Sequence, residues 1–215
     1  MTTLTSTSRR PLVLPGSTVG VLGFVLGVSY ALLRFYHGAG GIGLGLTEPT
    51  AEGMPHFLAG LLIMVGGIAC LVLTYPQFRT FPRWLGRLGG RQAPRPLMVA
   101  VCVLPVLIGA MFGIGHGAGG GIADLLELTG VGVASVFPDH QGESTVELLW
   151  LVAFYAPWFL GMGICLAMSA LAYLQQTGGS PRLIRSVAII VAVAGFVCST
   201  FFVLSMMLHW EWTVI

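Results

Sequence analysis

The chain has 215 residues, of which 55% are hydrophobic and 8% charged, with a formal net charge of +2. A soluble domain carries about 25% charged residues, so a water-soluble globular fold is excluded, and so small a net charge gives no reason to expect a nucleic acid partner. All ten basic residues are arginine, a bias expected of a GC-rich, bacterial coding sequence.

Arg9 and Arg10 precede the first apolar run, residues 13–36. A twin-arginine leader would show a short run and a small-residue cleavage site. This run is long and lacks one, so it reads as a retained first helix. Gly16, Gly20, Gly23 and Gly27 recur along it at three- and four-residue steps, a spacing that lets helix backbones approach closely in lipid. Its last turn carries Arg34 and His37. An arginine there either snorkels to the interface or belongs to a site, and Asp124 and Glu147 are its candidate partners.

The second run, 54–75, contains Gly60, Gly66 and Gly67. Arginines then recur every fourth residue at Arg79, Arg83, Arg87, Arg91 and Arg95, interleaved with Phe78, Phe81, Trp84, Leu85 and Leu88. This pattern reads as an interfacial anchor, apolar side in lipid and arginines on anionic headgroups, interrupted by Pro82 and the Gly89-Gly90 pair. The alternative is a dedicated diphosphate or headgroup site.

The third run, 96–114, is the shortest, and Pro105 is placed to kink it. His116 comes next, then Asp124 and Glu127 in the expected outer loop. On a short helix these two carboxylates would share a face and could hold one proton between them; otherwise they form a solvated acidic turn.

The fourth run, 146–174, opens at Glu147 and is interrupted by Pro157. Trp150, Phe154 and Trp158 succeed Glu147 at helical spacing, with Tyr155 and Phe159 beside them. An interfacial aromatic belt accounts for Trp150. Trp158 lies three turns into the span and is harder to account for as a belt residue. The fifth run, 183–208, begins after Arg182 and ends near Phe201, Phe202, His209, Trp210, Glu211 and Trp212.

About 20 residues at 1.5 Å each cross the hydrocarbon, so all five runs qualify. The expected fold is all-α, a single transmembrane helical domain over residues 1–215 with five spans. The arginine-rich segments alternate to one side, which the positive-inside rule makes cytoplasmic. The eight acidic residues and five histidines fall toward the other side. The N-terminus is then inside and the C-terminus outside, in a bacterial inner membrane. Cys70, Cys102, Cys165 and Cys198 each lie within an apolar run, unpaired as CxxC motifs, and read as packing residues.

His37-Gly-Ala-Gly-Gly41 comes after the first run and His116-Gly-Ala-Gly-Gly120 after the third. Each copy leads through an acidic loop into a Gly-rich helix, so the first two helices resemble the third and fourth in the same orientation. That is a parallel repeat about the membrane normal, with the fifth helix closing the bundle.

The segments Phe81-Pro-Arg-Trp-Leu-Gly-Arg-Leu-Gly-Gly-Arg-Gln-Ala-Pro94 with Leu104-Pro105, and Tyr30-Ala-Leu-Leu-Arg34 with Gly40-Gly41, resemble a group of uncharacterised multi-pass membrane proteins of high-GC bacteria. The resemblance covers residues 30–110 and implies no catalytic residues; where the group's pattern has Trp, this chain has His37. In size and architecture alone, the chain is also similar to small bacterial integral-membrane terpene cyclases. That similarity implies an isoprenoid substrate and rests on no motif.

Carboxylates and imidazoles at one lip, with aromatics on the wall, suit protonation of an apolar alkene and stabilisation of the resulting cation by ring faces. The expectation is a small membrane-embedded enzyme acting on an isoprenoid or other lipid, most concretely by acid-initiated terpene cyclisation. Glu147, Asp124 and Glu127 are the candidate acids, and His37 and His116 orient or deprotonate. Arg34, Trp150, Phe154, Trp158 and His209 bind substrate. A metal held by His37, His56, His116 and a carboxylate is the weaker chemistry, since no regular ligand spacing exists, and no cofactor is expected. The competing reading is a non-enzymatic membrane subunit or small transporter with a proton or ion path. The partners expected are the bilayer and a lipid or isoprenoid.

Overall fold

The computed structural model describes residues 16–43, 53–80, 90–129 and 145–207. Five helices carry the fold: α1 (Gly16–Gly38), α2 (Gly53–Thr74), α3 (Arg95–Leu128), α4 (Thr145–Gln176) and α5 (Pro181–Met207). Each is long and apolar enough to cross a bilayer, which makes the chain a multi-pass membrane protein. α1 pairs with α2, and α3 packs against both α4 and α5. α4 sits centrally and touches all four other helices.

Glycine sets how closely these helices approach. A Cβ on Gly27 of α1 would lie 2.8 Å from the Gly67 Cα of α2, and one on Gly23 would lie 2.7 Å from the Cys70 sulfur. The same device, on two faces at once, fixes α3. Gly113, Gly117 and Gly121 meet Gly163, Leu160 and Ala156 of α4, while Gly115 and Gly119 meet Cys198 and Ser199 of α5. Lipid tails are as apolar as leucine, so such van der Waals contact between backbones, rather than hydrophobic burial, holds helices together in a membrane.

The third helix runs on to Leu128, well past the 96–114 expected for it. His116, Asp124 and Glu127 therefore stand on a helix and not in a loop. The two His-Gly-Ala-Gly-Gly copies adopt different structures. In the first, Gly40 takes a left-handed φ of +86°, its N–H bonds to the His37 carbonyl at 2.9 Å, and the Gly41 N–H bonds to the Tyr36 carbonyl at 2.9 Å. This Schellman motif terminates α1. Gly178 ends α4 in the same way, with φ +76° and a 2.7 Å bond from the Gly179 N–H to the Leu174 carbonyl. In the second copy the helix continues. The sequences downstream of the copies differ in helix propensity in the same direction, glycine-rich after the first and Ile122-Ala-Asp-Leu-Leu-Glu-Leu after the second, and α4 and α5 pack on the glycines of the second.

The two prolines expected to kink the chain are absorbed by wide turns. α3 contains a π-helical turn at Val99–Val103 and α4 another at Leu151–Tyr155. The Leu104 N–H reaches back to the Val99 carbonyl, and the Ala156 N–H to that of Leu151. Pro105 and Pro157 come one residue later. A proline cannot donate to the carbonyl four residues back and clashes with it, and a π turn relieves that clash. α1 and α2 have no such turn.

At the far end of α2, Arg79 does more than anchor the chain. It closes a 3₁₀ turn at Pro76–Arg79, donates from Nε to the Val72 carbonyl at 3.1 Å and from Nη2 to the Leu73 carbonyl at 2.6 Å. These are carbonyls that the end of α2 would otherwise leave unpaired. The same nitrogen reaches Gln176 Oε1 at 2.5 Å, and the guanidinium lies 4.8 Å from the Tyr173 ring centroid, binding α2 to the end of α4. Burial lowers the guanidinium's proton affinity and the neighbouring Tyr173 partly restores it. An arginine starts so high that it stays charged. Arg83 and Arg87 lie outside the described residues. Below this lock, Cys70, Leu73, Val106, Ala110, Leu166 and Tyr173 form the centre of the core.

Candidate functional site

The chemistry-bearing side chains gather around one aromatic junction. Tyr30 of α1, only 3% exposed, meets three rings of α4: Phe159 at 5.0 Å, Tyr155 at 6.0 Å and Trp158 at 6.1 Å between centroids. His116 of α3 stands edge-on to Phe159 at 4.6 Å and contacts Phe202 of α5 at 5.5 Å. Four helices thus contribute to one continuous aromatic layer. Gly113, Gly117 and Gly121 draw α3 against α4, which brings His116 to Phe159. Trp158 donates from its indole N–H to the Leu26 carbonyl at 3.2 Å, so it ties α4 to α1 and is no interfacial belt residue.

The aromatic stripe of α4 is continuous. Trp150 lies 5.5 Å from Phe154, and Phe154 lies 5.0 Å from Trp158. The π turn at Leu151–Tyr155 lies within this stretch. Glu147 is half-buried in the first turn of the same helix. It stands eleven positions before Trp158, about 16 Å along the axis. The candidate acids therefore differ in distance from the junction. Asp124 and Glu127, half-buried electrostatic neighbours on α3, stand about 12 and 16 Å above His116.

A second group lies where α1 runs into α2. The Arg34 guanidinium is 5.8 Å from the Tyr30 centroid, and Arg34 is the charged neighbour of Tyr155, His37 and His56. His37, 1% exposed, has Nε2 3.2 Å from the Gly43 carbonyl, so that nitrogen must carry the proton and donate. Its ring is 6.2 Å from that of His56, which opens α2. The Nε of Arg34 and the Nδ1 of His56 are buried with no hydrogen-bond partner among the described residues.

The sequence residues thus divide in space. Arg34 and Trp158 contact Tyr30, His116 reaches it through Phe159, and His37 stands beside His56. Trp150 and Phe154 extend that wall. Asp124 and Glu127 form a pair above it, and Glu147 lies further along α4. His209 lies outside the described residues. Tyr30 is a structural partner whose importance the sequence hardly advertised, while Tyr155 and His56 read there as an aromatic neighbour and a candidate metal ligand. Tyr30 and Tyr155 carry no spacing motif, and only the ring chemistry of α1 and α4 hints at them. Among the described residues no three His, Cys, Asp or Glu side chains gather closely enough to hold a metal ion. Against known proteins, no family model, curated protein or solved structure matches this chain.

Proposed function

We propose that the chain is a small membrane-embedded enzyme acting on an isoprenoid or other lipid, most concretely by acid-initiated cyclisation. The observation that supports this reading is the aromatic junction itself: rings from α1, α4 and α5 around Tyr30 and His116, with carboxylic acids on α3 above them. Ring faces stabilise a cation without offering it a nucleophile. In this reading Asp124, backed by Glu127, delivers a proton to a terminal alkene carbon. The π electrons of successive double bonds close the ring, and His116 or His37 removes a proton from the final cation, so no atom is gained or lost. Glu147 is a further acid, with Trp150 and Phe154 beneath it. Arg34 and Trp158 position the substrate.

In the membrane, the arginine-rich ends face the cytoplasm of a bacterial cell, the Gly38 end of α1 faces outward, and α1–α2 and α3–α4 descend from a parallel duplication. The test is product analysis by mass spectrometry after incubating the purified protein with linear polyprenols and their phosphates. Cyclic isomers should form with the wild type and vanish with Asp124→Asn. If no polyprenyl compound is converted, while liposomes carrying the protein show a proton flux that Asp124→Asn abolishes, the transporter reading replaces this one.

A further inference from the structure

The end of the bundle where α1 meets α2 carries an imbalance of charge among its described residues. Arg34, His37 and His56 converge there, yet the described residues of α1 and α2 include no Asp or Glu. Among the described residues, the charged neighbours of His56 are Arg34 and His37. Two donor-capable nitrogens, Arg34 Nε and His56 Nδ1, are buried and find no acceptor among the described residues. A buried donor left unpaired is destabilising, more so when it is charged, so such a pair is retained at a loss unless something fills it. His56 also stands in the first turn of a 22-residue helix, where the backbone dipole favours negative charge. The side of Arg34 that does not face this gap lies on Tyr30, the edge of the aromatic wall.

We infer that Arg34 and His56 form a binding site for a phosphate oxyanion, with the Tyr30–Tyr155–Trp158–Phe159 wall receiving the apolar chain attached to it. Arg34 supplies the fixed charge and a planar donor fork that matches phosphate oxygens. His56 supplies a second donor from the facing helix. The wall favours a phosphate borne by a lipid over free phosphate, because it continues from the charged end into the apolar span. The inference rests on the lipid function proposed for the chain and narrows it: the substrate is a phosphorylated amphiphile held by its head, not a neutral hydrocarbon.

The test is equilibrium binding to the purified full chain in detergent, read by tryptophan fluorescence, with three probes: farnesyl phosphate, farnesol and inorganic phosphate. Farnesyl phosphate should bind at least about tenfold more tightly than farnesol. Arg34→Gln and His56→Ala should each weaken farnesyl phosphate by roughly tenfold to a hundredfold and leave farnesol unchanged. Arg34→Lys should retain part of the affinity, and Arg182→Gln, on an exposed residue at the start of α5, should retain all of it. Equal binding of farnesol and farnesyl phosphate would sink the phosphate site and leave the lipid reading standing. Binding of neither would end both. Inorganic phosphate that binds as tightly as the ester would assign the site to the free ion and remove the lipid from it. If Arg34→Gln fails to fold, the comparison of the three probes on the wild type decides alone.

Discussion

Gly117 and Gly120 are three residues apart in one glycine-rich turn of α3, and the packing assigns alanine at the two positions opposite consequences. A Cβ on Gly117 would press on the backbone of α4, onto the Leu160 nitrogen and to 2.8 Å from the Ala156 carbonyl oxygen and 2.9 Å from the Leu160 Cα. None of these atoms can rotate away. Carbon contacts rest at about 3.5–4.0 Å, so the helices must part by about 1 Å, which forfeits a quarter to a half of each contact's attraction along the crossing. A Cβ on Gly120 would meet only the His116 ring, at 3.9 Å. Alanine gains about 1 kcal/mol of helix propensity at either position. Strain then separates the two: Gly117→Ala should lose about 1–3 kcal/mol through overpacking, against a small gain for Gly120→Ala. Cys70 and Cys165 are buried and Cys102 and Cys198 partly so, which makes thermal unfolding readable with a thiol-reactive dye. Gly120→Ala should melt at or above the wild-type temperature and Gly117→Ala clearly below it. Equal melting temperatures would mean that α3 and α4 do not cross at this glycine.

The same packing and charge pattern lead to two further outcomes. Arg79→Gln removes a charged donor shared by the Val72 and Leu73 carbonyls and Gln176, and should lower the melting temperature in the dye assay, by more than Arg79→Lys does; an unchanged melting curve would show that water replaces the guanidinium at no cost. Reporter fusions after Gln92 should read cytoplasmic and those after Ile215 external, and the reverse pattern would overturn the orientation drawn from the arginines.

The five spans were legible because each needs only length and hydropathy, and those are properties of the sequence alone. The end of α3 was not. His116-Gly-Ala-Gly-Gly120 repeats the letters that stop α1, and five glycine-rich letters cannot say whether a turn closes or a helix packs. The decision is made by α4 and α5, whose backbones fill the gaps that Gly113, Gly115, Gly117 and Gly119 leave. The depth of Trp158 in its span hinted correctly at a role away from the interface, and its bond to the Leu26 carbonyl supplies the reason. The electrostatic pairing of Asp124 and Glu127 was likewise readable from their three-residue spacing. The place of Tyr30 was not, nor was the meeting of His56 with Arg34, because both come from α1 meeting α4 and α2, contacts that no local spacing encodes. The arginine ladder after α2 read as a surface feature, whereas Arg79 turns inward, since helix-end carbonyls are invisible in a sequence until the end itself is known.

The wide turns of α3 and α4 bear on how this chain can change length. A π turn holds one more residue than the α-helix around it, and each lies just before a proline. Losing one residue from Val99–Val103 or Leu151–Tyr155 would restore an ordinary helical repeat, with the proline clash as its cost, and would leave the crossings on either side in register. Elsewhere in either helix, a one-residue deletion would swing every later side chain by about 100° and take the glycines off their partners. These two short stretches are therefore where a single-residue deletion can be accommodated within the span, and where shorter variants of this protein should have lost a residue.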